Sequence, residues 1–547
     1  MTDSDLLAAR TEHWALTLTA IASVTGSKDE ADFSAKLVDL LRASAAFAQG
    51  PDAVWTVDVP GGLHPRSCVL GLVRGEGRRT VVLTGHFDIV ETGCYGELEP
   101  LALLPHRLGP ALIEAIAREP FDARSARAAE DLRSGAFLAG RGLLDMKAGL
   151  AAGLAVIELL ALDGFEGNLL FIAVPDEEGN SAGARHMSQV LGAIAEDLSL
   201  DIEAVINLDA TGDEGDGEVG RVVALGSIGK LLPSALVVGR AAHAADSFRG
   251  LGAAALAGAL AAELEWAPEL TERTGDELGA GPTLLGMKDS KTAYDVTMPA
   301  RVWMYWNVMT HRRSPEDVID AVCDAARRSS ARLMDRLAER AAASGAGVAP
   351  GPVDVVRYET LLAETAGANP GAGEALRALA VELSAGDLGL PDQCRLLTER
   401  LWELSGRAGP AIVLGFASIP YLPVELRDDR VASRLGAAVA GAAAEIVERF
   451  GVGIGTIRYF PGISDVSFFG QADDGQVAAI AANTPQWQGI VAGNSSFGAA
   501  GIPSINVGPW GRDYHTRLER MHTPYGFGVL PVLILGIVRR LTDGVAQ

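Results

Sequence analysis

The chain has 547 residues, of which 48% are hydrophobic and 21% are charged, a composition typical of a globular protein with one large or several ordinary domains. Its 46 basic and 70 acidic residues give a formal net charge of −24. This charge argues against nucleic acid as a partner, because phosphate binding needs a basic surface. It argues equally against an anionic membrane surface, so we expect no membrane partner.

The cysteines and the N-terminal segment predict the compartment. The four cysteines, at positions 68, 94, 323 and 394, lie far apart and form no C-x-x-C pair. Neither a disulfide framework nor a thiolate zinc site is therefore expected. The N-terminal segment lacks the basic and then apolar pattern of a secretory signal. Together these features predict a cytoplasmic protein with reduced thiols.

Three short apolar runs in the N-terminal part predict buried strands, and polar residues follow each of them at once. The runs are Val81–His86, Asn168–Pro175 and Glu203–Asp209, and the alanine-rich segment Met146–Leu162 predicts a buried helix. Buried strands that alternate with helices predict a mostly parallel sheet covered on both faces. In such sheets, ligands bind beyond the carboxyl ends of the strands.

The pattern changes from Gly226 onward, where the order becomes β-α-β-β-α-β, typical of a small α+β domain. We therefore expect a catalytic α/β domain made from both ends of the chain, with a second domain inserted. The predicted boundaries are 1–226 and 426–547 for the two parts of the catalytic domain and 227–425 for the insertion. An added helical segment is predicted at about 340–405.

Candidate metal ligands and acid–base groups follow the predicted strands. Each has an ordinary structural explanation when taken alone, such as a helix N-cap for Asp145 or a buried, hydrogen-bonded histidine for His243. Together, His, Asp and Glu residues after successive strands suit zinc or a similar divalent ion, and one shared carboxylate suits two ions about 3.5–4 Å apart. The candidates are His86, Asp88, Asp145, Asp176, Glu177, Glu178, Asp209, His243, His515 and His522.

Seven stretches resemble, in the same order, the M20 family of zinc-dependent metallopeptidases and amidohydrolases: TGHFDIV, GRGLLDMKAGLAAGL, FIAVPDEEGNSAGARH, INLDATGD, GRAAHAADSFRGLGAAAL, FPGISDVSFFG and NVGPWGRDYHTRLER. Longer stretches, GMKDSKTAYDVTMP and YWNVMTHRRSPEDVI among them, resemble the branch named after the arginine-utilisation protein RocB. The resemblance implies a zinc-exopeptidase-like α/β catalytic domain, mostly of parallel sheet, with an inserted α+β lid domain.

The resemblance also implies a ligand set for two divalent metal ions, zinc by family precedent. Asp145 would bridge both ions. His86 and Asp209 would complete one ion, and Glu178 and His515 would complete the other.

Three further roles are implied by the resemblance. Glu177 would be the general base, and Asp88 would orient His86. His243 would lie in the lid, where it would bind substrate or stabilise the oxyanion. In relatives that dimerise through the lid, this histidine reaches the partner's site, so a homodimer is a possible assembly.

Two positions leave alternatives open. The family's C-terminal histidine ligand usually has a Glu four residues later, which His515 has in Glu519, whereas His522 is followed at that distance by Gly526. The family's Asp-x-Arg on a lid strand is replaced by residues 307–309, which read Asn-Val-Met. Arg312 or Arg313 would then have to take over the binding of a substrate carboxylate, which weakens a carboxypeptidase interpretation.

The resulting functional hypothesis is hydrolysis of an amide C–N bond, in a small peptide or an N-acylated amino acid, by a water that the metals activate. A dipeptidase or aminopeptidase specificity is one alternative, and a non-catalytic metal-binding relative is another. The complete set of five ligands together with Glu177 favours an enzyme.

Overall fold

The structure is a computed structural model that describes residues 2–48, 50, 53–275, 277–346, 351–386, 388–426, 430–470, 476–491 and 500–542. The chain divides into two compact units. The first unit comprises Met1–Ser227, Val424–Ala472 and Gly493–Gln547, and the second comprises Ile228–Pro423 and Asp473–Ala492.

The described residues contain sixteen α-helices: α1 (Asp3–Thr19), α2 (Lys28–Ala43), α3 (Pro105–Arg118), α4 (Ala123–Ser134), α5 (Ala148–Asp163), α6 (Ala182–Asp197), α7 (Ala253–Leu264), α8 (Pro315–Ala343), α9 (Tyr358–Ala368), α10 (Ala372–Ser384), α11 (Leu390–Ser405), α12 (Arg430–Phe450), α13 (Val466–Phe469), α14 (Val477–Asn483), α15 (Trp487–Ile490) and α16 (Leu530–Thr542).

Within the same residues lie twenty-two strands, several of them only two or three residues long: β1 (Val54–Val59), β2 (Arg66–Arg74), β3 (Glu76–His86), β4 (Phe137–Ala139), β5 (Glu166–Val174), β6 (Asp201–Asn207), β7 (Thr211–Gly212), β8 (Val222–Ala224), β9 (Gly226–Ser227), β10 (Gly229–Leu231), β11 (Pro233–Val238), β12 (Arg273–Thr274), β13 (Glu277–Leu278), β14 (Thr283–Asp289), β15 (Arg301–Thr310), β16 (Asp354–Arg357), β17 (Ala411–Phe416), β18 (Val424–Glu425), β19 (Gly455–Ile457), β20 (Ser504–Asn506), β21 (Trp510–Arg512) and β22 (Arg520–His522).

The first unit is built on an eight-stranded sheet with the order β1-β2-β5-β3-β6-β20-β8-β19. Its four central strands, β5, β3, β6 and β20, run parallel to one another. Every residue of β5 after Glu166 is buried, so both faces of the sheet are covered, as the continuous apolar runs predict. The predicted fold class, an α/β protein with a mostly parallel sheet, is confirmed.

Helix α5 fills the core of the first unit. All its residues from Ala148 to Leu160 are buried, and a helix that is apolar on every side is stable only inside a protein. It packs against α1 and α16, and α16 in turn packs against α12.

In the part of the chain that the structure describes, one segment, Pro524–Thr542, is long and apolar enough to cross a membrane, with a mean hydropathy of 1.4 over 18 residues. However, 83% of it is buried inside the fold. A buried core helix of this length meets the same criteria, so the segment is only weak evidence for a membrane span.

A four-stranded sheet in the first unit, with the order β4-β22-β21-β7, gathers segments that are far apart in sequence. Strand β21 pairs in parallel with β7 and antiparallel with β22, which pairs antiparallel with β4. We call it the small sheet.

The second unit contains a sheet with the order β10-β15-β11-β17-β16, and β14 pairs with β15. The series β11, α7, β14, β15, α8 and β17 follows the predicted β-α-β-β-α-β order. Helix α8 begins after Ser314, whose side chain forms a capping box with Asp317. Strand β16 and helices α9–α11 lie between α8 and β17, where the added helical segment was predicted.

The C-terminal part of the chain differs from the prediction. All of residues 426–547 were expected in the catalytic domain, but α14 and α15 belong to the second unit. Gln486 contributes to this, since the two N–H groups of its Nε2 face three acceptors: Ala380 O at 3.0 Å, Ser384 Oγ at 2.8 Å and Gln393 Oε1 at 2.7 Å. These hydrogen bonds join the segment to α10 and α11, a tertiary contact that no sequence period reveals.

Gly149 permits the close packing of α5 against the end of β6. A Cβ at this position would overlap the main-chain oxygen of Leu208, which directly precedes Asp209. We expect Gly149→Ala to cost about 1–3 kcal/mol, the usual penalty for overpacking a core. Gly436→Ala, in helix α12 with no atom within 4 Å of the added Cβ, should be neutral or stabilise by about 0.4–1 kcal/mol. Thermal unfolding of the two variants measures this, and a Gly149→Ala protein that melts at or above the wild-type temperature would contradict the packing argument.

Candidate metal centre

The predicted site residues converge where three strands of the large sheet end. Strand β3 ends at His86, β5 ends shortly before Glu177 and Glu178, and β6 ends two residues before Asp209. His86 is paired with Val174 of β5, and Thr84 is paired with the last residue of β6, so the three strand ends are level. Their carboxyl ends therefore present these side chains to one region.

The small sheet brings the remaining candidates to the same region. Strand β4 leads into the turn that carries Asp145, β7 follows Asp209, and β21 leads directly to the loop that carries His515. The pairing of Trp510 with Thr211 places this loop beside the end of β6. The small sheet thereby brings Asp145 within hydrogen-bonding distance of two distant residues. His86 lies 59 positions before it in the chain, and His515 lies 370 positions after it.

The first donor group consists of His86, Asp145 and Asp209, whose ligand atoms all lie within 4.8 Å of one another. His86 Nε2 is 3.1 Å from Asp145 Oδ1 and 3.9 Å from Asp209 Oδ1. The backbone of Asp209 is held by Asn506, whose Nδ2 donates to Asp209 O at 2.7 Å. His86 and Asp209 are buried, with 2% and 6% of their surface exposed.

The second donor group consists of Asp145, Glu178 and His515 and meets the same 4.8 Å limit. His515 Nε2 is 3.1 Å from Asp145 Oδ2 and 3.0 Å from Glu178 Oε1. Asp145 thus turns one carboxylate oxygen to each histidine. It is not a helix cap, because the N-cap of α5 is Lys147.

The pKa values of the carboxylates and the distances between the donor atoms both bear on whether the two donor groups suit cations. Burial and the charge of Asp145 raise the pKa of Asp209 well above its usual value, and burial likewise raises the pKa of Glu178. Burial also acts to raise the pKa of Asp145, but hydrogen bonds from His515 and His86 outweigh it and hold the pKa below its usual value. Clustered carboxylates of this kind are stabilised by cations. With zinc–ligand bonds of roughly 2.0–2.2 Å, donors of one ion lie at most about 4.4 Å apart. The distances from the two histidines to the carboxylates, 3.0 to 3.9 Å, fall within that limit.

Asp88 holds the strand ends together. Its Oδ1 accepts a hydrogen bond from Glu177 N at 3.1 Å, and its Oδ2 accepts one from Glu178 N at 3.2 Å and one from Thr25 Oγ1 at 2.9 Å. The predicted contact to His86 runs chiefly through the backbone, since His86 Nδ1 lies 3.0 Å from Asp88 O and 3.6 Å from Asp88 Oδ1. Asp88 therefore fixes the turn that carries both glutamates as well as the imidazole.

Glu177 lies beside the two donor groups without belonging to either. Its Oε2 is 4.0 Å from His86 Nε2. Burial raises the pKa of Glu177 well above its usual value, and the charges of Asp465, Asp209 and Glu178 raise it further, against the opposing charge of His86. A carboxylate that lies beside the candidate ligands without joining them is placed as a general base needs to be.

The structure places His515, and not His522, at the site. The main-chain N of His515 donates to Glu519 Oε2 at 3.1 Å, and the buried Arg141 forms an ion pair with the same carboxylate oxygen. His522 instead stacks on Trp510, with ring centroids 4.6 Å apart. Burial and the charges of Arg221 and Arg512 lower the pKa of His522 to about 4. His522 is thus part of the packing of the small sheet.

His243, Arg312 and Arg313 lie in the second unit. His243 is exposed, in contrast to the buried alternative considered from the sequence, and its Nδ1 accepts a hydrogen bond from Ala245 N at 3.1 Å. The backbone N–H groups of Arg312 and Arg313 donate to the two carboxylate oxygens of Glu272. The substrate-binding roles of these three residues stay predictions.

Two residues near the donor groups were not singled out from the sequence. Asp465 precedes α13 and is 2% exposed, and burial raises its pKa to about 7. Tyr514 precedes His515, and its hydroxyl is hidden from solvent. Their only sequence signal is their place inside the motifs FPGISDVSFFG and NVGPWGRDYHTRLER, because neither stands at a strand end of the large sheet.

Comparisons with known proteins give a consistent result. The sequence profile described as Peptidase family M20/M25/M40 matches residues 118–493. Two relatives come from Bacillus subtilis (strain 168). Uncharacterized protein YqjN is 30% identical over 544 residues, with 97% of this chain and 95% of the relative covered. Protein RocB is 28% identical over 547 residues, with 96% and 94% covered.

Two solved structures share the fold. A tripeptidase from Staphylococcus aureus has a TM-score of 0.51 at 15% identity, with 98% of this chain and 99% of that chain covered. The di-peptidase Dug1p from Saccharomyces cerevisiae has a TM-score of 0.53 at 11% identity, with 99% and 98% covered. At these identities the likeness concerns the fold.

Separate replacement of His515 and His522 by alanine tests the assignment of the second donor group. We expect His515→Ala to lose one of two bound divalent ions, because it removes one of three ligand atoms, whereas His522→Ala should keep both. Elemental analysis of protein reconstituted with zinc and dialysed measures the stoichiometry. Loss of metal from His522→Ala alone would show that the assignment is wrong.

Proposed function

Because the chain belongs to peptidase family M20/M25/M40 and is a metal-dependent hydrolase of amide bonds, we propose that it cleaves small peptides or N-acylated amino acids with two zinc ions held at the two donor groups. The predicted family membership is confirmed. The observation that carries the proposal is Asp145, which turns one oxygen to His86 and the other to His515. Each group offers three protein ligands, the number typical of catalytic zinc sites, which keep a further position open.

The chemistry divides between the ions and the side chains around them. Two zinc ions, when bound, would supply Lewis acidity and lower the pKa of water toward neutrality. Glu177 takes the proton of the attacking water on its carboxylate and delivers it to the leaving nitrogen. Asp88 keeps Glu177 in place through the backbone hydrogen bond at 3.1 Å.

Substrate recognition is proposed to involve the second unit. His243 is exposed and is available to bind the substrate or to stabilise the oxyanion. Arg312 or Arg313 would bind a substrate carboxylate. In the first unit, 46% of the His515 side chain is exposed, so the second donor group is accessible from solvent.

We also propose a homodimer formed through the second unit and a cytoplasmic location. Among the described residues β14 pairs only with β15, so its other edge has no strand partner, although Leu284 N donates to Glu265 Oε2 at 2.8 Å. Leu285 and Met287 on this strand are 52% and 45% exposed. Exposed apolar side chains on an open strand edge are typical of a contact surface. The four cysteines are all free, which agrees with a reducing compartment.

The role of Glu177 is tested by Glu177→Gln, which keeps the shape of the side chain and removes the basic oxygen. We expect turnover to fall by roughly 10²–10⁴-fold while both ions are retained. Glu178→Gln is the matched control and should bind one ion more weakly, because Glu178 belongs to the second donor group.

The measurement combines metal titration with rates on Ala-Ala, Ala-Ala-Ala and N-acetyl-alanine, which also separates dipeptidase, aminopeptidase and deacylase activities. If the wild type holds two zinc ions but hydrolyses no amide in this set or in a wider screen, the alternative that the protein is a non-catalytic, metal-binding relative would be favoured. Near-full turnover of Glu177→Gln would exclude proton transfer by this residue.

The dimer proposal is tested by sedimentation of the wild type and of the double variant Leu285→Asp/Met287→Asp. We expect a dimer for the wild type and a monomer for the variant, because the added charges would be buried and repel one another across a pairing edge. A monomeric wild type, or a variant that stays dimeric, would contradict the β14 interface.

A further inference from the structure

Tyr514 carries a buried hydroxyl that the mechanism above does not use. The residue lies in the loop between β21 and β22, next to His515. Its oxygen is hidden from solvent and has no hydrogen-bond partner among the described residues. The charged groups around it are the carboxylates of Asp145, Asp209 and Glu519. Two of these three belong to the donor groups, so the hydroxyl lies at the edge of the candidate metal centre.

The position of the ring is fixed by the small sheet. A Cβ at Gly212 would lie 2.7 Å from Tyr514 Cε2 and 3.1 Å from Cδ2, so the glycine leaves the room that the ring occupies. Gly212 belongs to β7 and pairs with Gly511 of β21, three residues before the tyrosine. The ring centroid lies 6.2 Å from that of His515, with the planes at 81°. The ring is therefore held in one place beside a candidate ligand.

A buried hydroxyl without a partner destabilises the folded protein, and phenylalanine would fill the same space without this cost. The hydroxyl can donate one hydrogen bond. A donor at the edge of a site for amide hydrolysis is suited to an oxygen on which negative charge develops.

We propose that the Tyr514 hydroxyl donates a hydrogen bond to the carbonyl oxygen of the amide that is cleaved, and that this bond strengthens as the oxygen becomes negative. The proton stays on the tyrosine throughout, and no covalent bond of the tyrosine is made or broken. This inference rests on the proposed amide hydrolysis and adds a catalytic residue to it. The acceptor of this hydrogen bond is the carbonyl oxygen of a carboxamide substrate.

Tyr514→Phe tests the inference with little change in shape. We expect kcat to fall by roughly 10²–10³-fold, the usual effect of removing one such donor, with KM changed by less than about threefold. Zinc content should stay at two per chain, and the melting temperature of the metal-free protein should be unchanged or higher, because an unpartnered buried hydroxyl is removed. A purely structural role would instead lower the melting temperature.

Tyr525→Phe is the matched control. Tyr525 is 1% exposed and its hydroxyl also has no partner among the described residues, but the charge acting on it is that of Arg221. We expect this variant to retain wild-type kcat, KM and zinc content. A Tyr514→Phe protein with kcat within about twofold of the wild type would overturn the inference, as would one that loses zinc, since the hydroxyl would then support a ligand.

A binding measurement separates failure of the inference from failure of the proposed function. The phosphinic acid analogue of Ala-Ala imitates the tetrahedral state, and its affinity is measured by calorimetry on zinc-loaded protein. We expect Tyr514→Phe to bind it more weakly by the same factor as the loss in kcat. Equal binding by wild type and Tyr514→Phe would overturn the inference even if the wild type hydrolyses no amide of the set. Wild-type protein that neither binds the analogue nor hydrolyses an amide would overturn both proposals.

Discussion

The structure is organised by the accumulation of carboxylates at one edge of a buried sheet. Asp145, Glu178 and Asp209 meet at two histidines, with Glu177 beside them. Like charges at such distances are unfavourable in a protein interior, where water cannot screen them. Cations stabilise such a juxtaposition, and the geometry distributes the ligands into two groups of three around Asp145. The fold around this edge serves to hold these side chains in place.

A second layer of polar contacts provides this support. The turn after β5 is stabilised by Asp176, whose carboxylate pairs with the buried Arg66 and whose main-chain oxygen accepts hydrogen bonds from residues 179–181. Asp88 fixes the next two residues through their N–H groups. On the other side, Arg141 and Glu519 hold the backbone of His515. Four of the five candidate ligands are thus each held by a partner that is itself buried: Asp88 for His86 and Glu178, Asn506 for Asp209 and Glu519 for His515.

Much of the arrangement was predictable from the sequence, since strands such as β5 and β6 are continuous apolar runs and polar residues stand directly at their ends. His86, Glu178 and Asp209 are recognisable in this way, and their roles as ligands stay predictions. The small sheet was not predictable, because strands of two or three residues show no periodicity. Tyr514 and Asp465 were not predicted as site residues, because their nearness to the site depends on tertiary contacts. The place of α14 and α15 in the second unit likewise depends on tertiary contacts, those of Gln486 among them.

Both proposed metal sites depend on Asp145, which would bind the two ions at once. Anomalous X-ray diffraction at the zinc edge, on crystals of zinc-reconstituted protein, tests it directly. We expect two peaks that both contact Asp145, one also bound by His86 and Asp209 and the other by Glu178 and His515. A single peak, or a second peak that is bound by His522 or lies out of reach of Asp145, would contradict it.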